Sequence, residues 1–183
     1  MDMDYGDVFE PLIDEYGLDE KYKQQLNQVV EKFVGKHSDR NTRLSKEEMS
    51  EVIENKKYLE DLFETYDRDG DGLSLEEYME DWFTKRVVEY WKQCFAEYDY
   101  DESGTLDGEE EIENFIASLG FTGRRGRDMK KKLDEDNDGS LSMKEFEDYA
   151  KEKLRKQLSE KCNIFYSMLE DDMLTKEADL GKQ

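Results

Sequence analysis

The chain has 183 residues, room for one compact domain or two small lobes, and its 27 Lys and Arg against 49 Asp and Glu give a net charge of −22. A charge of that sign disfavours nucleic acids and anionic membranes and favours cations and basic peptides as partners. No apolar stretch is long enough for stable insertion across a bilayer.

The N-terminal Met-Asp-Met-Asp-Tyr-Gly-Asp lacks the basic and apolar segments of a signal peptide, and residue 2 is not the glycine that myristoylation needs. Cys94 and Cys162 stand far apart and outside any metal or redox motif, as free thiols do in a reducing cytoplasm. A cytoplasmic location is the expectation.

Residues 1–19 form an acidic arm in which Phe9, Leu12, Ile13 and Tyr16 fall at helical spacing. Two readings fit: an arm docked into an apolar groove, or a solvated tail. From Glu20 to Lys36, the row Leu26, Val29, Val30 and Phe33 predicts an amphipathic helix. The stretch from His37 to Glu48 follows, ending Leu44-Ser45-Lys-Glu-Glu48. That ending recurs three times: Leu73-Ser74-Leu-Glu-Glu77, Leu106-Asp107-Gly-Glu-Glu110 and Leu141-Ser142-Met-Lys-Glu145. Each is a leucine followed by Ser or Asp three residues before Glu, the signature of a capping box opening a helix.

The left halves carry carboxylates on alternate residues. Asp67, Asp69 and Asp71 precede Gly72, Asp99, Asp101 and Ser103 precede Gly104, and Asp134, Asp136 and Asp138 precede Gly139. Alternate inward side chains and a sharp turn at the sixth place let a short loop surround a hard cation that takes six to eight oxygens. In the second stretch a count of twelve from Asp67 ends on Tyr78, which cannot chelate. Aligning its leucine and its cap with the others makes Glu77 the closing residue, in a loop one residue short. In the first stretch His37 and Thr42 hold the first and sixth places, so this loop is degenerate and pairs with its neighbour without binding.

Spacing, recurrence and flanking helical periodicity resemble the EF-hand superfamily. The resemblance implies an all-α fold of four helix-loop-helix units in two pairs, residues 20–88 and 89–158, and Ca2+ as the bound ion. Its ligands would be Asp67, Asp69, Asp71 and Glu77; Asp99, Asp101, Ser103, the Thr105 carbonyl, Asp107 and Glu110; and Asp134, Asp136, Asp138, the Ser140 carbonyl, Ser142 directly or through water, and Glu145.

Between the pairs, Met79, Phe83, Val87, Trp91 and Phe95 form an unbroken i, i+4 row with Trp82 and Tyr90 beside it. An apolar stripe at the junction implies halves packed into one compact unit; its alternative is a target-binding face. Gly120 to Lys132 is the one basic stretch, read as a flexible linker with a helix from about Asp128; a docking patch for an acidic partner or phospholipid is the other reading. Residues 159–183 carry Ile164, Phe165, Met168, Leu169 and Met173 at helical spacing, a C-terminal helix that plugs a lobe, engages a partner or joins the core.

Scattered methionines, aromatic-rich faces and the degenerate first hand are more similar to the compact sarcoplasmic calcium-binding proteins than to calmodulin. The function expected is a cytosolic calcium buffer or compact modulator. The alternatives are a calmodulin-like sensor of basic amphipathic helices and a calcium-tuned cytoskeletal adaptor. No nucleophile–base pair is visible, and His37 is the only histidine, against an enzyme or a photoprotein.

Overall fold

The computed structural model describes residues 5–36 and 41–181 and is almost entirely helical. A 3-10 turn (Tyr5–Val8) and α1 (Glu10–Glu15) precede α2 (Glu20–Lys36), α3 (Lys46–Ser50), α4 (Lys56–Tyr66) and α5 (Leu75–Ala96). Strand β1 (Thr105–Leu106), α6 (Glu109–Ser118), α7 (Gly123–Leu133), β2 (Leu141–Ser142) and α8 (Met143–Gly181) follow. Helix α2 spans the residues its apolar row predicts. His37, the first place of the degenerate hand, lies outside the described residues.

The chain divides into two compact units, residues 1–83 with 155–183, and residues 84–154. The divisions fall inside α5 and α8.

In the first unit, Leu44 and Leu73 form an antiparallel bridge, each amide donating to the other's carbonyl at 2.9 Å. The bridge pairs the loop between α2 and α3 with the loop between α4 and α5. Asn55 caps α4 by accepting the Tyr58 amide, and the Tyr58 hydroxyl donates to the buried Asp81 at 2.8 Å, tying α4 to α5. Met79, Trp82 and Phe83 of α5 are fully buried.

The N-terminal arm is part of this core. Phe9, Leu12, Ile13 and Tyr16 are buried, and the Phe9 ring lies 6.2 Å from that of Phe165 on α8. The Tyr16 hydroxyl donates to Gln157, and Gln157 donates to Glu15, both at 2.9 Å. The stretch of α8 from Leu158 to Leu169 therefore joins the core of the first unit. The inward row of α8 there is Leu158, Cys162, Phe165, Tyr166 and Leu169; Ile164, expected in that row, is exposed.

In the second unit, β1 and β2 pair antiparallel with Thr105 opposite Ser142 and Leu106 opposite Leu141. Phe95, Phe115 and Phe146 make a three-ring cluster with centroids 4.9–6.3 Å apart. Val87, Trp91, Ile112 and Leu133 are also buried.

Helix α7 begins at Gly123, not near Asp128, so the basic stretch is helical rather than a linker. Its glycines mislead because Gly126 serves packing: a Cβ there would press on the Phe121 carbonyl oxygen at 3.2 Å.

Candidate metal sites

Three loops share one backbone path over their first six residues. Positive φ recurs at the fourth place (Gly70, Glu102, Asn137) and at the sixth (Gly72, Gly104, Gly139). The first aspartate then receives the amide of the sixth residue: Gly72 to Asp67 at 3.1 Å, Gly104 to Asp99 at 2.8 Å and Gly139 to Asp134 at 3.0 Å. These bonds turn each loop around its carboxylates. Oxygens of Asp67, Asp69 and Asp71, and of Asp134, Asp136 and Asp138, lie within 4.8 Å of one another.

In the loop from Asp67 to Glu77, loop II, the bridge and the helix cap both come one residue earlier than in the loop from Asp134 to Glu145. Leu73 makes the bridge, Ser74 Oγ accepts the Glu77 amide at 3.2 Å, and the Glu77 carboxylate faces the Ser74 amide. Glu77 thus stands at the start of α5 in the register set by Leu73 and Ser74, outside the trio of Asp67, Asp69 and Asp71. Burial raises its pKa, against the lowering effects of the Ser74 amide and the Arg43 charge. Asp71 is also raised, by its hydrogen bond with Asp69 and by desolvation, while the same hydrogen bond lowers Asp69, so the two acids titrate as a pair.

The loop from Asp134 to Glu145, loop IV, gathers Asp134, Asp136 and Asp138 and caps its exit helix through Ser142. The Ser142 amide and hydroxyl donate to Glu145 Oε2 at 2.9 and 3.2 Å, and Ser142 Oγ accepts the Glu145 amide. The other oxygen of that carboxylate, Oε1, is buried with no hydrogen-bond partner. A buried carboxylate oxygen left unbonded is costly unless a cation takes it up. Hydrogen bonds from the Ser140 amide and hydroxyl lower the pKa of Asp138, keeping it anionic.

The third loop departs from expectation at its end. Glu110, the predicted closing ligand, is exposed, and Glu111 is buried. Glu111 accepts amides from Tyr100 at 3.0 Å, Asp107 at 3.1 Å and Gly108 at 3.4 Å. It lies within 4.8 Å of Asp99 and Asp101, the group that Glu110 was expected to complete. The cause is local. Asp107, predicted as the helix cap, turns back into the loop, where it accepts Thr105 Oγ1 at 2.6 Å and Ser103 Oγ at 3.4 Å. Gly108 becomes the N-cap and α6 starts one residue later. Loop III therefore runs from Asp99 to Glu111, one residue longer than the regular loop.

The sequence does carry that signal. In the first, second and fourth hands the closing glutamate directly precedes a buried apolar residue: Glu48-Met49, Glu77-Tyr78 and Glu145-Phe146. Only Glu111, followed by Ile112, satisfies this in loop III; Glu110 does not. Ser103, the Thr105 carbonyl and Asp107 are brought together as predicted, with Ser103 Oγ 2.9 Å from the Thr105 oxygen.

The donors are carboxylates, hydroxyls and carbonyls, the hard oxygen set that calcium selects, with neither thiolate nor imidazole at any of the three loops. Among the described residues, no helix is long and apolar enough to cross a membrane. Searches of the curated proteins and of the solved structures found no match to the chain. Family models do match: the EF-hand domain pair over residues 88–151 and the EF hand over residues 59–83. With the acidic clusters above, these matches identify calcium-binding EF-hand domains in this chain.

Proposed function

We propose that the protein is a cytosolic calcium buffer or modulator that holds three ions and has no catalytic role. Loop II would bind through Asp67, Asp69, Asp71 and Glu77. Loop III would use Asp99, Asp101, Ser103, the Thr105 carbonyl, Asp107 and Glu111. Loop IV would use Asp134, Asp136, Asp138, the Ser140 carbonyl, Ser142 and Glu145. The observation that carries this reading is the threefold convergence of acidic oxygens within 4.8 Å, with the buried, unbonded Glu145 Oε1 beside the fourth loop's trio.

Like charges held that close repel one another, and a divalent ion converts the repulsion into attraction, so ion binding and loop order are linked. A buffer role draws support from the faces of the helices. Met49 and Met79 are buried, and among the described residues the exposed large apolar ones are Tyr90, Tyr100, Ile164, Leu174 and Leu180, with no methionine among them. In this respect the chain is closer in style to sarcoplasmic calcium-binding proteins than to calmodulin.

The test is calorimetric titration of chelator-stripped protein with calcium, alongside the fluorescence of a hydrophobic dye. Three sites with little dye response are expected. A large calcium-dependent dye signal would make the protein a sensor of basic amphipathic helices instead. No heat and no spectral change at micromolar calcium would end the calcium reading.

A further inference from the structure

We propose that Arg43, supplied by the degenerate first hand, is a tethered counter-ion to loop II that competes with calcium and makes this the weakest of the three sites. The inference rests on the metal-site reading above and goes beyond it, because a guanidinium cannot hold the ion and Arg43 is outside the donor set.

The geometry follows from the missing residue of loop II. Shortening the loop brings Gly72 against the backbone of the first hand, where an added Cβ would lie 2.7 Å from the Leu44 oxygen and 3.2 Å from Arg43 Cβ. Leu44 is bridged to Leu73, so Arg43, one residue before the bridge, is fixed at the edge of the acidic cluster. Its Nε is shut off from solvent and lies 3.6 Å from Asp71 Oδ2, while Nη1 donates to the Thr42 carbonyl at 2.9 Å. The guanidinium also lines a cleft of about 630 Å³ above the loop, together with Glu60, Asp67 and Asp71.

The other pair of hands has no such cation. There the residues preceding the bridging leucines are Thr105 and Ser140. Among the described residues, no ion pair reaches the aspartates of loops III and IV; serine hydroxyls meet them, Ser103 on Asp99 and Ser140 on Asp138.

A fixed positive charge a few ångströms from the ion position has two opposed effects. It relieves repulsion among the acids when calcium is absent, and it repels calcium and occupies Asp71 when calcium arrives. Replacing Arg43→Gln should therefore tighten one calcium site about two- to fivefold, the scale of a partly exposed charge pair, and should lower the thermal stability of the chelator-stripped protein. The other two sites should be unchanged, which also reports that the variant is folded. Arg43→Lys keeps the charge and should behave like the parent, and added salt should shrink the difference between parent and Arg43→Gln.

Asp69→Asn identifies the loop II site as the one it abolishes. If Arg43→Gln leaves that site's affinity unchanged, or if Arg43→Lys tightens it as much as Arg43→Gln, the counter-ion role is wrong while calcium binding stands. If parent and Arg43→Gln both bind only two ions, Arg43 is not what silences the loop. Absence of binding in every variant overturns the metal-site reading itself.

Discussion

Successive residues on a helix point about 100° apart, so Glu110 and Glu111 cannot both face the third loop. The face of α6 is fixed by Ile112, Phe115 and Ile116, all buried, and the residue just before that row is Glu111. Glu111→Gln should weaken calcium binding at loop III by about 10–100-fold, the range seen when a group that supports a metal site is lost. Glu110→Gln should leave it within the error of a calorimetric titration. Equal losses in the two variants would mean that the helix start shifts when the ion binds. The aspartates at the first, third and fifth places were readable from spacing alone, because spacing decides which side chains point inward. The closing glutamate of the third loop was not, because it depends on which residue caps the helix. Counting to twelve misplaces it wherever a loop gains or loses a residue, and the buried neighbour after each glutamate is the better guide.

At the scale of elements, α8 gives the first unit much of its core. Phe165 is 1% exposed, faces Phe9 and meets Tyr166 edge-on, and Cys162 is fully buried beside it. Truncating a buried phenylalanine costs about 3–5 kcal/mol. Phe165→Ala should therefore lower the denaturant midpoint of the first unit while calcium affinities at loops III and IV hold. The thiols give a second readout. Burial raises the pKa of Cys162, with a further push from the Glu76 charge, so little reactive thiolate forms there while the helix is seated. A thiol reagent should label Cys94, which is only part-buried, ahead of Cys162 in the parent. In Phe165→Ala the gap should narrow; if labelling of Cys162 is as slow as before, α8 is held by something other than this ring. Helical periodicity could place an amphipathic segment over 159–183, but it put Ile164 on the inner face and could not name the groove. The partners of α8 there include Phe9 and Tyr16, some 150 residues away in the chain, and no local pattern encodes such a pairing.

For the molecule as a whole, the charge of −22 sets the terms of stability. Self-repulsion among so many acids works against the folded state, and three calcium ions, bringing six positive charges, would leave −16. The gain is not evenly shared. Loops III and IV both lie in the unit of residues 84–154, whereas residues 1–83 with 155–183 hold loop II and the degenerate first hand. An ion at a free concentration one hundred times its dissociation constant adds about 2.7 kcal/mol, near a hundredfold in an opening equilibrium. Two occupied sites would therefore shift the opening equilibrium of the second unit about 10⁴-fold toward the closed state, and one site hindered by Arg43 would shift that of the first about 10²-fold at most. Hydrogen exchange on stripped and calcium-loaded protein measures this directly. The Ile112 and Phe146 amides should gain far more protection than those of Leu62 or Phe83. Salt should raise protection throughout the stripped protein by screening, and should do less once calcium has already removed the closest repulsions. Equal gains in both units would show that loop II, short as it is and with a guanidinium at its edge, is not the weakest of the three sites.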